Sequence, residues 1–192
     1  MKRIYIIILA LSFTLCLYPQ SNKTVKKDIF DNTVIEDNKG NRTSIKKDIF
    51  GYLQYEDRNN KKASLKKDIF DTWIYSDNRN NEIKFSNEYW TDILQDFNQN
   101  ETKAFVWLLK MCADLKNYKE EYKIDIFGYQ QYENNQGERA SLKKDIFDKM
   151  IYEDNKGNKV EFDEKLWENI MWKYSSDKKI FMNMIQYYLF DN

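Results

Sequence analysis

The chain has no histidine, one proline, five glycines and two cysteines in 192 residues. The missing histidine removes the commonest general base and the commonest metal ligand. Two cysteines without histidine cannot build a zinc site of the Cys/His type. Neither GxGxxG nor GxxxxGKS/T occurs, so no nucleotide-binding loop is expected. No sign of charge dominates either, with 31 basic against 31 acidic residues. Nucleic-acid binders usually carry a basic surplus, so no nucleic-acid partner is expected. What is abundant is aromatic, 16% of the chain, and aromatics bury large areas each.

The first 21 residues differ from the rest. Lys2 and Arg3 precede an apolar run from Ile4 to Tyr18 with no acidic residue. That is the basic start and apolar middle of a secretory signal peptide. The run is short for a transmembrane helix, so no stable membrane span is expected in the mature chain. Pro19 and Ser21 suit a cut after Ser21. A lipid anchor at Cys16 is disfavoured, because Leu15 is bulky where lipoproteins need a small residue. Export to the periplasm or cell surface is therefore expected. The mature chain keeps only Cys112, so no internal disulfide forms. Its setting, WLLKMCADL, reads as a buried small hydrophobe.

The chain repeats itself. Residues 46–82 return at 123–159 at one offset of 77, with about 23 of 37 positions identical. Within this lies a shorter unit of about 20 residues. KKDIF stands at 26–30, 46–50, 66–70 and 143–147, and KIDIF at 123–127. Asp or Gly follows each Phe, and each unit closes on an Asn-rich segment such as DNKGN or DRNNK. Asn, Asp and Gly tolerate the positive φ of tight hairpins. The flanks alternate apolar and polar, the period of a half-buried strand. Each unit is thus expected to form two short strands and two turns, and five units about ten strands.

Helices are expected after each block. Ser86 and Asn100 are candidate N-caps, with Trp90, Ile93, Leu94 and Phe97 on one face and Phe105, Leu108, Leu109 and Cys112 on another. Asp163 is expected to cap a helix with Trp167, Ile170 and Met171 inward, and a final helix to cover 177–190. Phe85 and Trp90 match Phe162 and Trp167 at the same offset, and beyond Trp167 the duplication needs a one-residue shift, which sets Phe105 opposite Phe181. The expected class is α+β: tandem hairpin repeats forming a meander sheet, with a helical pair after each of two duplicated blocks. The layout is a signal peptide (1–21), an extra hairpin unit (22–43), block 1 (44–119) and block 2 (120–192). The helical pairs are expected to cover the sheet ends.

Carboxylates are the main chemistry left. Glu133 and Asp154 are a conceivable glycosidase pair, yet acids recur in every unit, at Asp28, Asp48, Asp68, Asp125 and Asp145, as structural positions do. EDNKGN (36–41, 153–158) lacks the acid spacing of a calcium loop. Lys27, Lys47, Lys67 and Lys144 could line a stripe, but an acid follows each Lys pair. No cofactor or metal is expected.

The aromatic and bulky residues beside the turns, Tyr52, Trp73, Tyr129 and Met150, are read as equivalent variable positions on a fixed KKDIF scaffold. They are the candidate partner-binding residues, with core filling the alternative. The unit resembles repeats of small exported bacterial proteins, and no activity comes with that resemblance. The expected function is a non-enzymatic exported protein-binding protein, in one version a periplasmic immunity protein that neutralises a toxin. The alternatives are a structural or adhesive envelope protein and a carboxylate-dependent cell-wall hydrolase.

Overall fold

A computed structural model describes residues 23–28, 32–37, 40 and 42–191. The expected signal peptide and the first KKDIF turn residues, 29–31, lie outside them. The strands are β1 (Lys23–Lys27), β2 (Thr33–Asp37), β3 (Arg42–Lys47), β4 (Leu53–Asp57), β5 (Lys62–Lys67), β6 (Trp73–Asp77) and β7 (Glu82–Phe85). Helices α1 (Asn87–Asp96) and α2 (Glu101–Met111) follow. Then come β8 (Lys119–Ile124), β9 (Gln130–Asn134), β10 (Arg139–Lys144), β11 (Met150–Asp154) and β12 (Lys159–Phe162). The chain closes with α3 (Glu164–Tyr174), α4 (Asp177–Ile185) and a π-helical turn, Gln186–Phe190.

The fold is α+β. Among the described residues, twelve strands form one sheet in sequence order. Neighbours are antiparallel except at β7–β8, which run parallel with Glu82 opposite Lys119 and Phe85 opposite Tyr122. A parallel step needs a crossover, and α1 and α2 supply it. The expected ten strands become twelve because EIKF and KVEF each add a strand after the last hairpin of a block.

Period-two alternation sorts each strand's side chains onto two faces. One face carries Ile45, Leu65, Tyr75, Ile83, Phe85, Tyr122, Tyr132, Leu142 and Tyr152, all buried. The helices pack there. Trp73 stacks on Trp90 at 5.1 Å, and Tyr75 meets Phe105 at 6.1 Å. Tyr152 meets Phe181 at the same 6.1 Å, as the one-residue shift predicts. The other face carries ion pairs, with Lys123 on Glu121 and Glu133, and Lys143 on Glu153, while Val34 and Ile151 lie buried on it.

Two expectations are corrected. The helices lie on a face of the sheet rather than over its ends, because their apolar stripes need the apolar face that alternation creates. Among the described residues, β1 and β12 each have one sheet neighbour. Asn100 and Asp163 cap their helices by accepting from the Lys103 and Leu166 N–H, but Ser86 makes no such side-chain bond at α1.

Candidate recognition surface

The KKDIF segments end strands and open a tight turn. Asp48 is the fastener. Its N–H donates to the Tyr52 carbonyl at 2.9 Å, and its Oδ1 accepts from the Phe50 and Tyr52 N–H, both at 2.9 Å. The N–H of Gly51 donates back to the Asp48 carbonyl at 3.0 Å, and Gly51 holds φ +81°. This is a three-residue hairpin loop whose third residue is left-handed. The same bonds recur from Asp68, Asp125 and Asp145. Gly128, Asp71 and Asp148 hold the left-handed position at +80°, +64° and +63°.

The turn fixes where Ile and Phe go. They occupy its two central positions, beyond the last ladder bond, and therefore belong to neither sheet face. Ile49, Phe50, Ile69, Phe70, Ile126, Phe127, Ile146 and Phe147 are 72–93% exposed. A scattered exposed Leu needs no explanation, but a repeated array of large apolar groups does. Every one of these loops opens from the same end of the sheet. With about 4.8 Å between strands, neighbouring apices stand about 10 Å apart. The step across β7–β8 is about 14 Å, because one extra strand intervenes. Lys67 and Lys144 pair with Asp71 and Asp148 at 2.7 and 2.6 Å and give the row a polar collar. Lys47 pairs with Glu101 on α2.

The four sequence-chosen residues fall into two classes. Tyr52 and Tyr129 precede β4 and β9 and are half-buried. Each sits 6.0 Å from the Phe of its own apex, Phe50 or Phe127. Trp73 and Met150 open β6 and β11 and pack against the core. Trp73 also donates from its indole N–H to Asn87 Oδ1 at 3.4 Å. The position in β4 that corresponds to Trp73 is Leu53, not Tyr52, so the four are not all equivalent. The exposed Ile–Phe pairs were missed because the unchanging pentapeptide reads as framework. Their adjacency was the available signal, since neighbours in a strand cannot share a face.

The acids divide likewise. Asp48, Asp68, Asp125 and Asp145 each commit Oδ1 to turn N–H groups, and Asp48 and Asp125 also accept the Gln54 and Gln131 side-chain amides on Oδ2. Glu133 and Asp154 lie on opposite faces of the sheet. Glu133 pairs with Lys123 on the face away from the helices, while Asp154 accepts the hydroxyl of core residue Tyr152 at 3.1 Å and the turn N–H groups of Lys156 and Asn158. No acid pair flanks a common space there. Among the described residues, no group of three or more His, Cys, Asp or Glu is placed to hold a metal ion.

One carboxylate is singular. Glu120 is buried on the helix side and accepts from the hydroxyls of Tyr118, Tyr132 and Tyr122 at 2.9, 3.3 and 3.5 Å. Burial raises its pKa, and the three hydroxyls oppose that rise. Its counterpart 77 residues earlier is Thr43, so no repeat signal marks it. Nearby, a groove of about 330 Å³ runs between α2 and β3–β6, with Tyr75, Ile45 and Cys112 in its lining. Burial pushes the Cys112 thiol up to about 12, which leaves it protonated and a poor nucleophile at neutral pH.

No family model, curated protein or solved structure matched the chain. Among the described residues, no helix is long and apolar enough to cross a membrane.

Proposed function

We propose that the chain is an exported, non-enzymatic repeat protein that binds another protein through its row of Ile–Phe apices. The carrying observation is the exposure of those eight side chains along one end of the sheet. In this reading, five 20-residue hairpin units and two helical pairs form a stiff frame, and the apices are its working surface. Tyr52 and Tyr129 brace the Phe rings from behind. Phe and Ile supply apolar area without a charge to desolvate, and a rigid loop loses little entropy on docking. The protein works in the periplasm or at the cell surface. In its specific form it is an immunity protein that occludes a toxin.

The test is capture from the host envelope with the exported protein as bait. A second bait carries Ile69→Ser, Phe70→Ser, Ile126→Ser and Phe127→Ser. One stoichiometric protein held by the first and lost by the second supports the reading. For the immunity form, co-expression of the captured protein must be toxic alone and harmless with the wild-type chain. Equal capture by both baits would remove the apices from the proposal. An activity of the purified protein on cell-wall material, abolished by a single carboxylate substitution, would replace binding with hydrolysis.

A further inference from the structure

The junction between the two blocks has a second edition at β12, where no strand pairs on the outer side among the described residues. At β7, Glu82 and Ser86 donate their N–H to the Tyr118 and Tyr122 carbonyls, both at 2.9 Å, and so hold β8 in parallel. Asn81 completes the joint. Its Nδ2 donates to Asp77 Oδ2 and to the Leu115 carbonyl, and its Oδ1 accepts the Tyr118 N–H at 3.0 Å.

Moving 77 residues on leads to β12. There Asn158 repeats the donor contacts, to Asp154 Oδ2 at 2.9 Å and to the Tyr188 carbonyl at 3.4 Å. Among the described residues, no strand pairs with the outer side of β12 and no N–H donates to Asn158 Oδ1.

The helices repeat the asymmetry. In α1, Tyr89, Trp90 and Ile93 are buried. Block 2 covers that helix: the Tyr89 hydroxyl donates to Gln130 at 2.7 Å, its ring lies 5.7 Å from Tyr122, and Ser176 of the α4 cap bonds Asp92. The counterparts in α3 are Leu166, Trp167 and Ile170. None is buried, and Trp172 beside them is 90% exposed. Equivalent sequence positions are fully buried in one block and only half-buried in the other.

We propose that the β12–α3 end binds the β1 edge of a second copy of this chain, in parallel, as β7–α1 binds β8. The occupant follows from the repeat. β1 leads into KKDIF as β8 leads into KIDIF, and each pairs antiparallel with the next strand. The side of β1 that faces away from β2 is therefore the side that β8 turns to β7. Transferring the register sets Phe162 opposite Val25 and Glu161 opposite Thr24, where no like charges meet. Such head-to-tail contacts do not close on themselves and build open chains of copies. From the last apex of one copy to the first described apex of the next, between β3 and β4, would be five strands, about 24 Å. The row of Ile–Phe apices would continue across the joint and gain avidity.

The test is the molar mass of the purified exported protein by light scattering over a concentration series. Two edge variants accompany the wild type. Glu161→Pro removes an outward N–H from β12, and Val25→Pro removes one from β1. An edge strand tolerates proline on its unpaired side. The wild type is expected to grow past the dimer with concentration, while each variant alone stays monomeric. An equimolar mixture of the two is expected to form a 1:1 dimer, because each supplies the edge the other lacks. Leu166→Glu on α3 keeps the strand intact and is expected to weaken growth in the same way. A wild type that stays monomeric overturns the proposal. So does dimerisation of Val25→Pro alone, which would indicate a twofold β12–β12 pairing.

Discussion

Asn81 Oδ1 accepts the Tyr118 backbone N–H at 3.0 Å, across 37 residues of chain. The amide is 1% exposed and fixes where the crossover rejoins the sheet. Replacing it with alanine leaves the Leu115 carbonyl and the Tyr118 N–H without that partner. Asn81→Ala is expected to cost about 2–3 kcal/mol, since unmade buried hydrogen bonds cost about 1–3 kcal/mol each. Urea unfolding followed by circular dichroism measures it.

Glu120 makes the stability depend on pH in an unusual direction for a carboxylate. Burial raises its folded-state pKa, so the folded chain holds its proton at pH values where the unfolded chain has released it. Stability from this group is then full below the unfolded carboxylate pKa, about 4.3. It declines as pH rises from there through the raised folded value. Glu120→Gln keeps an acceptor for the tyrosine hydroxyls and removes the titration. The variant should be more stable than wild type at pH 7, and its advantage should shrink as pH falls towards 4. Thermal melts across that range decide it, and an advantage that grows on acidification would reverse the assignment.

Two tryptophans offer a contrast. Trp90 is 1% exposed and stacks on Trp73, whereas Trp172 is 90% exposed. Trp90→Ala should cost about 3–5 kcal/mol, the range for large aromatics removed from a core. Trp172→Ala should shift the monomer's stability by less than about 0.5 kcal/mol. Chemical denaturation at low protein concentration separates them.

The left-handed turn position gives a finer test. Nothing lies within 4 Å of a Cβ built on Gly128, so only its φ of +80° opposes a side chain. Gly128→Ala should cost about 1 kcal/mol. Gly128→Asp should cost less, because Asp71 and Asp148 already hold that conformation in the equivalent turns. Comparison of the two melting temperatures checks the order.

The apices should be energetically idle in the free protein. Ile126→Ser with Phe127→Ser is expected to leave the unfolding free energy within about 0.5 kcal/mol of wild type. A loss of several kcal/mol in an equilibrium melt would mean that these side chains are packed.

Much of the local structure is legible along the chain, for local reasons. An Asp followed three residues later by Gly, Asp or Asn closes its own loop, so the hairpins announce themselves. Asn100 and Asp163 announce helix starts, because a cap needs only a side-chain oxygen and an N–H three residues on. The alternation in WIYSD and MIYED names the inward tyrosines. Three features resist. The parallel β7–β8 step depends on how α1 and α2 pack, not on either strand. The singular burial of Glu120 depends on three tyrosines converging from β8, β9 and the segment before β8. The Ile–Phe pairs look like core in the sequence because hydrophobicity does not state direction, and only the turn's backbone points them outward.

The sequence by itself determined the hairpin unit, its turns, the helix positions and the duplication, all of which rest on contacts a few residues apart or on direct identity. Tertiary structure alone decided that the strands join into one sheet, that the helices take one face, and that Trp90 is core while Trp167 stays half exposed. The physical reason is that burial belongs to the neighbours a residue meets, and equivalent residues at 90 and 167 meet different ones.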